Sequence, residues 1–244
     1  MIRSVRIFRS PFELAEKFAD ELVALIKDGA ESNIPVTIAL SGGSTPELMF
    51  SILGDHFSKS APWEYAHFFW GDERCVPPVS PDSNFGMAFR SLFKKISIPE
   101  RNIHRIYGEQ NPSREAVRYS ELISEHTRNS EGKPVFDMVL LGLGEDGHTA
   151  SIFPDRLDLF HSEKICEVSV HPASRQKRIT LTGKVINNAA NIRFLVTGSN
   201  KAEIIRRVIN KEKSDMNLPA SNIVPVNGNL EWFLDSEAGS LINM

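Results

Sequence analysis

Short continuous apolar runs alternate along the chain with longer segments in which apolar residues recur every three or four positions. Continuous runs predict buried strands, whereas the wider spacing predicts amphipathic helices. The predicted strands cover residues 5–8, 36–40, 67–70, 103–106, 136–141, 165–170, 178–182 and 194–197. The predicted helices cover residues 11–27, 85–93, 114–127 and 201–209, and one more begins at 41–46. The tail segments 223–226 and 231–234 are short and fit either class of element.

This alternation of strands and helices is typical of a parallel sheet whose strands are joined by crossover helices. The 244 residues contain no internal repeat, low-complexity tract or linker. We therefore predict a single α/β domain over residues 1–244, with a doubly wound, mostly parallel sheet and helices on both faces. Ligands bind such sheets beyond the carboxyl ends of the strands, and the unusual polar residues of this chain follow predicted strands.

The segment Ser41-Gly-Gly-Ser-Thr-Pro46 follows a predicted buried strand. Gly42 and Gly43 let backbone N–H groups approach an anion closely, and a helix N-terminus adds a favourable partial charge. Ser44 and Thr45 carry hydroxyls that suit helix capping. The segment predicts either a phosphate cradle or a tight, well-capped turn. It is not a Walker A loop, because no Gly-Lys-[Ser/Thr] follows.

Charged residues accompany three other predicted strands. Asp72 and Arg74, in the segment Gly71-Asp-Glu-Arg74, come directly after an aromatic strand, where a salt-bridged loop and an anion-binding cleft are both possible. Arginine suits planar anions because its guanidinium donates hydrogen bonds in pairs. Arg178 and Lys201 add local positive charge, although each taken alone is more typical of a solvated surface side chain.

The segment 142–151, Gly-Leu-Gly-Glu-Asp-Gly-His-Thr-Ala-Ser, contains a G-x-G-x-x-G pattern after a predicted strand, with Glu167 further along the chain. This arrangement is compatible with a dinucleotide-binding turn. We disfavour that interpretation because the unit lies in the middle of the chain and Pro154 would end the required helix early. Asp146 and His148 also place acid–base groups in the turn, which pyrophosphate binding does not need.

His148 is the candidate general base, because an unperturbed histidine titrates at about pH 6.5 and therefore exchanges protons near neutrality. Its neighbours are small residues that would do little to bury it. The remaining histidines show no metal-ligand spacing such as H-E-x-x-H, so neither a metal nor a cofactor is predicted. These histidines are His56, His67, His104, His126, His161 and His171. The G-x-S-x-G elbow of common serine hydrolases is also missing from the sequence.

Composition narrows the class of protein further. The formal net charge of −3 argues against a nucleic-acid binder with a broadly basic surface. The two cysteines, Cys75 and Cys166, predict free thiols in a reducing compartment. The first residues do not resemble a signal peptide, and no apolar run approaches the roughly 20 residues that span a bilayer. We therefore expect a cytoplasmic protein with no membrane or nucleic-acid partner.

Taken together, the segments resemble the 6-phosphogluconolactonase family, which shares a superfamily with glucosamine-6-phosphate deaminases. The matching segments follow the family's order and extend to the tail around Trp232. They are Ser41-Gly-Gly-Ser-Thr-Pro46, Phe68-Phe-Trp-Gly-Asp-Glu-Arg74, Ser83-Asn-Phe-Gly86, Gly142-Leu-Gly-Glu-Asp-Gly-His-Thr-Ala-Ser-Ile-Phe-Pro154, Arg178-Ile-Thr-Leu-Thr182 and Leu195-Val-Thr-Gly-x-x-Lys201.

The resemblance implies a NagB-like fold and hydrolysis of 6-phospho-D-glucono-1,5-lactone to 6-phosphogluconate, the second step of the oxidative pentose phosphate pathway. The implied partner is this small phosphosugar lactone, and we expect a monomer or weak oligomer. By resemblance, His148 is the general base, and Asp146 and Asp72 orient the polar site. The residues expected to hold the substrate or its phosphate are Gly42, Gly43, Ser44, Thr45, Arg74, Arg178 and Lys201. Backbone N–H groups near Gly43 or Gly144 are candidates for stabilising an oxyanion.

Two alternatives remain open. Deaminases of the superfamily carry an acidic residue where this chain has Phe153, and an aromatic residue where it has Arg74. Both differences favour the lactonase. A sugar-phosphate sensor without catalytic activity would be expected to lose the base or to gain a DNA-binding segment. His148 is present, however, and no helix-turn-helix pattern precedes residue 36.

Overall fold

The computed structural model describes residues 3–210 and 217–242. Within these ranges the strands are β1 (Arg3–Phe8), β2 (Val36–Leu40), β3 (Ala66–Trp70), β4 (Asp72–Arg74), β5 (Arg128–Ser130), β6 (Lys133–Val135), β7 (Met138–Leu141), β8 (Cys166–Val170), β9 (Lys177–Leu181), β10 (Asn191–Val196) and β11 (Asn229–Asp235). The α-helices are α1 (Pro11–Glu31), α2 (Ser44–His56), α3 (Asn84–Ala88), α4 (Pro112–His126), α5 (Gly183–Asn187) and α6 (Ala202–Asn210). Short 3-10 turns and one π-helical turn join several of them.

The central sheet contains six strands in the order β1-β11-β10-β7-β2-β3, and all neighbouring strands run parallel. From β2 the chain crosses through α2 to β3, whereas from β7 it crosses through α5 and α6 to β10 and β11 on the other side. Right-handed crossovers that run in opposite directions place their helices on opposite faces of the sheet. The predicted doubly wound α/β fold is therefore confirmed, and its switch point lies between β2 and β7.

The helix α1 illustrates how the sequence packs a helix on this sheet. Ser10 caps it by accepting a hydrogen bond from the Glu13 N–H, and Pro11 occupies the first turn, where its missing N–H costs nothing. The inward residues recur every four positions and are fully buried; they are Leu14, Phe18, Leu22 and Ile26. Burial of each such side chain contributes about 1.5–3 kcal/mol relative to exposure.

A second, antiparallel sheet in the order β4-β9-β8 lies next to the carboxyl edge of the central sheet. Gly71 forms the junction, because its N–H donates to Leu40 O in the central sheet and its carbonyl accepts from the Leu181 N–H. The pairing of β4 with β9 places Arg74 opposite Arg178. Two arginines that are more than one hundred residues apart in the sequence thereby become neighbours.

Most predicted elements are present, but several differences stand out. The segment 103–106 is not a strand: it forms one isolated bridge, between Ile103 and Phe68. Of the two tail segments that fit either class of element, 223–226 forms neither a strand nor an α-helix, whereas 231–234 belong to β11. The strand β4 and the β5–β6 hairpin were not predicted, because these three-residue strands are rich in polar residues. Among the described residues, none of the helices combines the length and apolar character that crossing a bilayer requires.

Candidate active site

A cavity of about 300 Å³ opens at the carboxyl edge of the central sheet, at the switch point between β2 and β7. Its wall is formed by the loops that follow β2, β7 and β10 and by the adjacent β4 and β9. The predicted site residues that line it are Gly42, Gly43, Ser44, Thr45, Asp72, Arg74, His148, Arg178 and Lys201. Asp146 does not line the cavity but contacts His148 from behind.

The loop between β2 and α2 requires its two glycines for different reasons. A Cβ atom at Gly42 would lie 1.9 Å from Asn84 Oδ1, so a side chain has no space there. Gly43 has a φ of +113°, a conformation that L-residues rarely adopt. Gly43 is also the N-cap of α2, and no side chain caps the helix. The first N–H groups of α2 are therefore available to an anion, and the helix dipole favours negative charge there.

The two hydroxyl residues of this loop differ in their surroundings. Thr45 Oγ1 is 2.8 Å from Thr197 Oγ1, a hydrogen bond that ties the β2–α2 loop to the end of β10. Ser44 is exposed in the cavity wall. Ser44 is consequently the better placed of the two hydroxyls to bind a ligand, while Thr45 stabilises the wall.

The imidazole of His148 is held by Asp146. His148 Nδ1 is 2.6 Å from Asp146 Oδ1, and the His148 backbone N–H donates to the same oxygen at 3.1 Å. An ionised carboxylate only accepts hydrogen bonds, so Nδ1 carries the proton and Nε2 keeps its lone pair. With 30% of its side chain exposed, His148 is reachable from the cavity. A histidine in this state is suited to accept a proton.

Asp146 is ionised because the hydrogen bond outweighs desolvation. Partial burial alone would raise the pKa of this carboxyl group, but the hydrogen bond and charge interaction with His148 lower it. The net pKa lies below the ordinary value of an aspartic acid. Asp146 therefore stays negatively charged at neutral pH and continues to orient the ring.

On its other side the His148 ring packs against Phe153. The two ring centroids are 4.9 Å apart, and Phe153 is almost completely buried. An apolar ring at this point cannot exchange protons, so it only limits the orientations that the imidazole can adopt. Together, Asp146 and Phe153 leave the imidazole little freedom to turn away from the cavity.

Arg74 and Arg178 form a pair of guanidinium groups with unused donors. The Nε atoms of both are buried and have no hydrogen-bond partner in the part of the chain that the structure describes. Arg74 Nη1 donates to Asp82 O at 2.6 Å, whereas the one ion pair that Arg178 forms within the described residues is with the Asp72 carboxylate, at 4.0 Å. Buried donors without partners cost free energy. This pattern indicates that an anion completes the site.

Electrostatics supports the same conclusion. Burial lowers the pKa of Arg178, the carboxylate of Asp72 raises it, and the charge of Arg74 lowers it again, with a net decrease. The guanidinium stays protonated all the same, so two like charges share one wall of the cavity. Lys201 lines the same cavity and forms no ion pair with the rest of the described chain. A multiply charged anion such as a phosphate would relieve this repulsion.

Asp72 has a structural partner that sequence reasoning did not identify. Its carboxylate accepts a hydrogen bond of 2.6 Å from the hydroxyl of Ser151, which is fully buried. Ser151 lies in the predicted segment 142–151, but no property of a serine in that run indicates its contact across the cavity. Asp72 is thereby fixed between Ser151 and Arg178 at the cavity wall.

Asn84 is another residue without a predicted role. Its Nδ2 donates to Asp72 O at 2.9 Å, and its side chain lines the cavity beside Gly42. The buried carboxylate of Glu73 accepts from the Asn84 N–H at 2.8 Å and from the Phe85 N–H at 2.8 Å. Burial raises the pKa of Glu73, and these backbone hydrogen bonds oppose the increase. Glu73 therefore anchors α3 and positions Asn84.

Two sequence-based hypotheses about the segment 142–151 can be judged from the structure. The Gly144 N–H donates to His148 O at 2.8 Å, so this N–H is not free to stabilise an oxyanion. The N–H groups near Gly43 remain candidates for stabilising an oxyanion. No α-helix follows the G-x-G-x-x-G pattern, because the chain turns at Gly147 and enters a 3-10 turn at Pro154. The rejection of a dinucleotide site agrees with this geometry, since such a site needs a helix N-terminus.

Known proteins share this fold and sequence over nearly the whole chain. The family model described as glucosamine-6-phosphate isomerases/6-phosphogluconolactonase matches residues 9–232. A 6-phosphogluconolactonase from Haemophilus influenzae is 40% identical over 232 residues, which cover 95% of this chain and 98% of that protein. Among solved structures, a devB protein has a TM-score of 0.94 at 40% identity, covering 99% of this chain and 100% of its own. A 6-phosphogluconolactonase from Trypanosoma brucei has a TM-score of 0.88 at 29% identity, covering 99% of both chains.

Proposed function

The chain belongs to the family of glucosamine-6-phosphate isomerases and 6-phosphogluconolactonases, and we propose that it hydrolyses 6-phospho-D-glucono-1,5-lactone to 6-phosphogluconate. One observation carries the proposal: a single cavity is lined by a proton-accepting imidazole, that of His148, and by the cations Arg74, Arg178 and Lys201. A phosphorylated lactone needs a base at its acyl carbon and positive charge at its phosphate. The cavity volume of about 300 Å³ matches the lower end of small-ligand sites.

The proposed reaction uses His148 twice. Nε2 takes a proton from a water molecule while the water oxygen bonds to the lactone carbonyl carbon, which gives a tetrahedral intermediate. The bond between that carbon and the ring oxygen then breaks, and the imidazolium returns the proton to the departing ring oxygen. Asp146 stabilises the imidazolium through the 2.6 Å hydrogen bond to Nδ1. General-base assistance of this kind contributes about 10²–10⁴-fold.

In the proposed complex the phosphate is bound at the cationic wall. The unpaired Nε atoms of Arg74 and Arg178 and the ammonium group of Lys201 supply its hydrogen bonds. Charge-assisted hydrogen bonds of this type contribute about 1.5–3 kcal/mol each. Because the phosphate is remote from the reacting carbon, its binding energy serves to position the lactone against His148.

The sister activity, deamination of an amino-sugar phosphate, is disfavoured by Phe153. In the deaminase branch that position is acidic and works with the histidine in opening the sugar ring. Here it holds a buried phenyl ring 4.9 Å from the imidazole centroid. This ring offers no group that could take part in proton transfer.

The substrate class can be tested with a pair of lactones. Freshly prepared 6-phospho-D-glucono-1,5-lactone and unphosphorylated D-glucono-1,5-lactone are hydrolysed in weak buffer, and acid release is followed after subtraction of the spontaneous rate. We expect kcat/KM to be at least about tenfold higher for the phosphorylated lactone, since one charge-assisted hydrogen bond is sufficient for that factor. Ammonia release from glucosamine 6-phosphate should stay at background. Equal rates for both lactones, or release of ammonia, would contradict the proposal.

A second prediction concerns the glycine beneath the imidazole. In the variant Gly144→Ala, the added Cβ would lie 2.0 Å from His148 Nδ1 and 2.6 Å from Asp146 Oδ1, so the ring must move. Because a displacement of about 1 Å can lower a rate about 10²-fold, we expect kcat to fall by at least about tenfold. The matched control is Gly142→Ala in the same loop, whose Cβ would make only an ordinary contact of 3.7 Å with Ser41 Oγ. A similar kcat in the two variants would speak against this role of Gly144.

A further inference from the structure

Three histidines that are far apart in the sequence converge on one face of the sheet. His67 is in β3, His104 follows a 3-10 turn, and His126 is the last residue of α4. Each offers a ring nitrogen, and these three atoms lie within 4.8 Å of one another. Within the described residues this is the one group of histidine, cysteine and acidic side chains with such geometry. We name it the tri-histidine cluster.

Each member of the tri-histidine cluster is held in place by the fold. The His104 backbone N–H donates to Phe68 O at 2.8 Å, which fixes the loop against the edge strand β3. The His104 ring stacks on Phe69 with 4.3 Å between centroids. His126 Nδ1 is 3.0 Å from Leu122 O, one turn earlier in α4. Together with the pairing of His67 opposite Thr37 in the sheet, these contacts hold the three rings close to one another.

The ring nitrogens are in the state that a metal ion requires. A carbonyl oxygen only accepts hydrogen bonds, so Nδ1 of His126 carries the proton and Nε2 keeps its lone pair. An imidazole that donates its second N–H to a carbonyl is the usual arrangement in metal sites. His67 Nδ1 and His104 Nε2 are 3.0 Å apart and share one proton.

We propose that His67, His104 and His126 bind a divalent transition metal ion, with Zn²⁺ as the best match. Imidazole nitrogens suit Zn²⁺, and tetrahedral Zn–N bonds of about 2.0–2.1 Å place two such nitrogens about 3.3 Å apart. The observed spacing, from 3.0 Å up to 4.8 Å, needs only small ring movements to reach this value. When the ion binds, the shared proton moves to the outer nitrogen of its ring, so the histidines stay neutral.

The surroundings are compatible with a bound cation. His126 ends α4, and the partial negative charge of a helix C-terminus stabilises positive charge there. The nearby guanidinium of Arg118 is neutralised by Glu115, to which it donates at 2.5 and 2.7 Å. His104 is buried and His67 half-buried, while His126 is on the solvent side. The ion can therefore enter from the surface, and water can occupy the fourth position.

This site is separate from the candidate active site. His67 lies near the start of β3, whereas Asp72 follows the end of that strand. Five residues of extended chain correspond to about 16 Å. The ion would link β3, the loop that carries His104 and the end of α4. We therefore assign it a role in stability, and hydrolysis by the cavity residues does not depend on it.

The test uses the full chain without a polyhistidine tag, freed of metal by a chelator. Calorimetric titration with Zn²⁺ is expected to show one tight site per chain, and Co²⁺ should give the visible absorption of a four-coordinate ion. The melting temperature should rise with Zn²⁺ concentration, because the ion binds only the folded chain. In His126→Gln, and separately in His67→Gln, we expect the affinity for Zn²⁺ to fall at least about tenfold. Mutation of a residue that only supports a metal ligand already lowers metal affinity about 10–100-fold.

The matched control is His56→Gln, which removes an exposed histidine from the last turn of α2, as His126 is removed from α4. It should bind Zn²⁺ as the unmodified chain does. Lactone hydrolysis by each variant verifies that it is folded. Absence of saturable binding, or equal affinity in His126→Gln and the unmodified chain, would overturn the proposal. Binding that survives His126→Gln but is lost in His148→Ala would assign the ion to the cavity instead and would equally overturn it.

Discussion

Replacement of His148 by alanine is expected to lower kcat for 6-phospho-D-glucono-1,5-lactone about 10²–10⁴-fold, the usual contribution of a general base. The reason is the proton on Nδ1. Because Nδ1–H donates a hydrogen bond of 2.6 Å to Asp146 Oδ1, Nε2 is the ring nitrogen with a free lone pair. Alanine removes this acceptor but leaves the cationic wall unchanged. KM should therefore change much less than kcat.

The measurement is initial-rate kinetics at several lactone concentrations, with the spontaneous rate subtracted. His56→Ala is the control, since His56 is exposed at the far end of α2, about 18 Å along the helix from the cavity. It should retain the kinetic constants of the unmodified chain. If His148→Ala retained full kcat, the imidazole would not be the base, whereas a loss of substrate binding alone would assign it to recognition.

Replacement of Arg178 by methionine is expected to lower kcat/KM for the phosphorylated lactone about 10–100-fold, mainly through KM. One charge-assisted hydrogen bond is worth about 1.5–3 kcal/mol, which corresponds to this range. Methionine keeps the length and apolar stem of the side chain but removes the charge. The rate with unphosphorylated D-glucono-1,5-lactone should be nearly unchanged, because that substrate has no group for the guanidinium.

The same variant should leave the free protein as stable as before, or more stable. With only 13% of its side chain exposed, Arg178 has a buried Nε that finds no hydrogen-bond partner among the described residues, and its ion pair with Asp72 spans 4.0 Å. Methionine removes the desolvation cost of the guanidinium and its repulsion with Arg74, while the buried Asp72 carboxylate keeps its 2.6 Å hydrogen bond from Ser151. Ligand-free unfolding in urea measures this effect. An increase in stability together with a weaker KM would identify Arg178 as a residue retained for binding.

Arg114→Met provides the control for this experiment, because Arg114 is exposed on α4 and does not line the cavity. Both kinetic constants and stability should be close to those of the unmodified chain. An equal loss of activity towards both lactones in Arg178→Met would mean that the variant disturbs the whole site. That result would contradict a specific role in phosphate binding.

Much of the fold follows from local patterns. The buried strand β2 and the amphipathic helix α1 are apparent from hydrophobic periodicity, since the faces of strands and helices repeat at fixed intervals. The position of the candidate site could be predicted from the sequence for a related reason. A parallel sheet brings the carboxyl ends of its strands to one edge, so polar residues directly after strands, such as Ser44 and His148, are expected to meet.

Other features of the structure could not be predicted from local sequence patterns. The strand β4 consists of three charged residues, and it is a strand only because β9 pairs with it. The segment 103–106 has the apolar character of a strand but lacks a continuous partner along the edge of the sheet. The use of the Gly144 N–H by the His148 carbonyl likewise depends on how one turn closes. Hydrogen-bond partners of this kind are determined by the tertiary structure.

The amino-acid sequence by itself therefore determined the class of fold, the strand ends that carry chemistry and the likeness to a known family, because these depend on periodicity and short motifs. Only the tertiary structure decided which distant side chains become neighbours. It paired Arg74 with Arg178, joined Asp72 to Ser151 and gathered His67, His104 and His126. The spacing of residues along the chain does not indicate such contacts, because they form only when strand pairing and helix packing bring separate segments within a few ångströms.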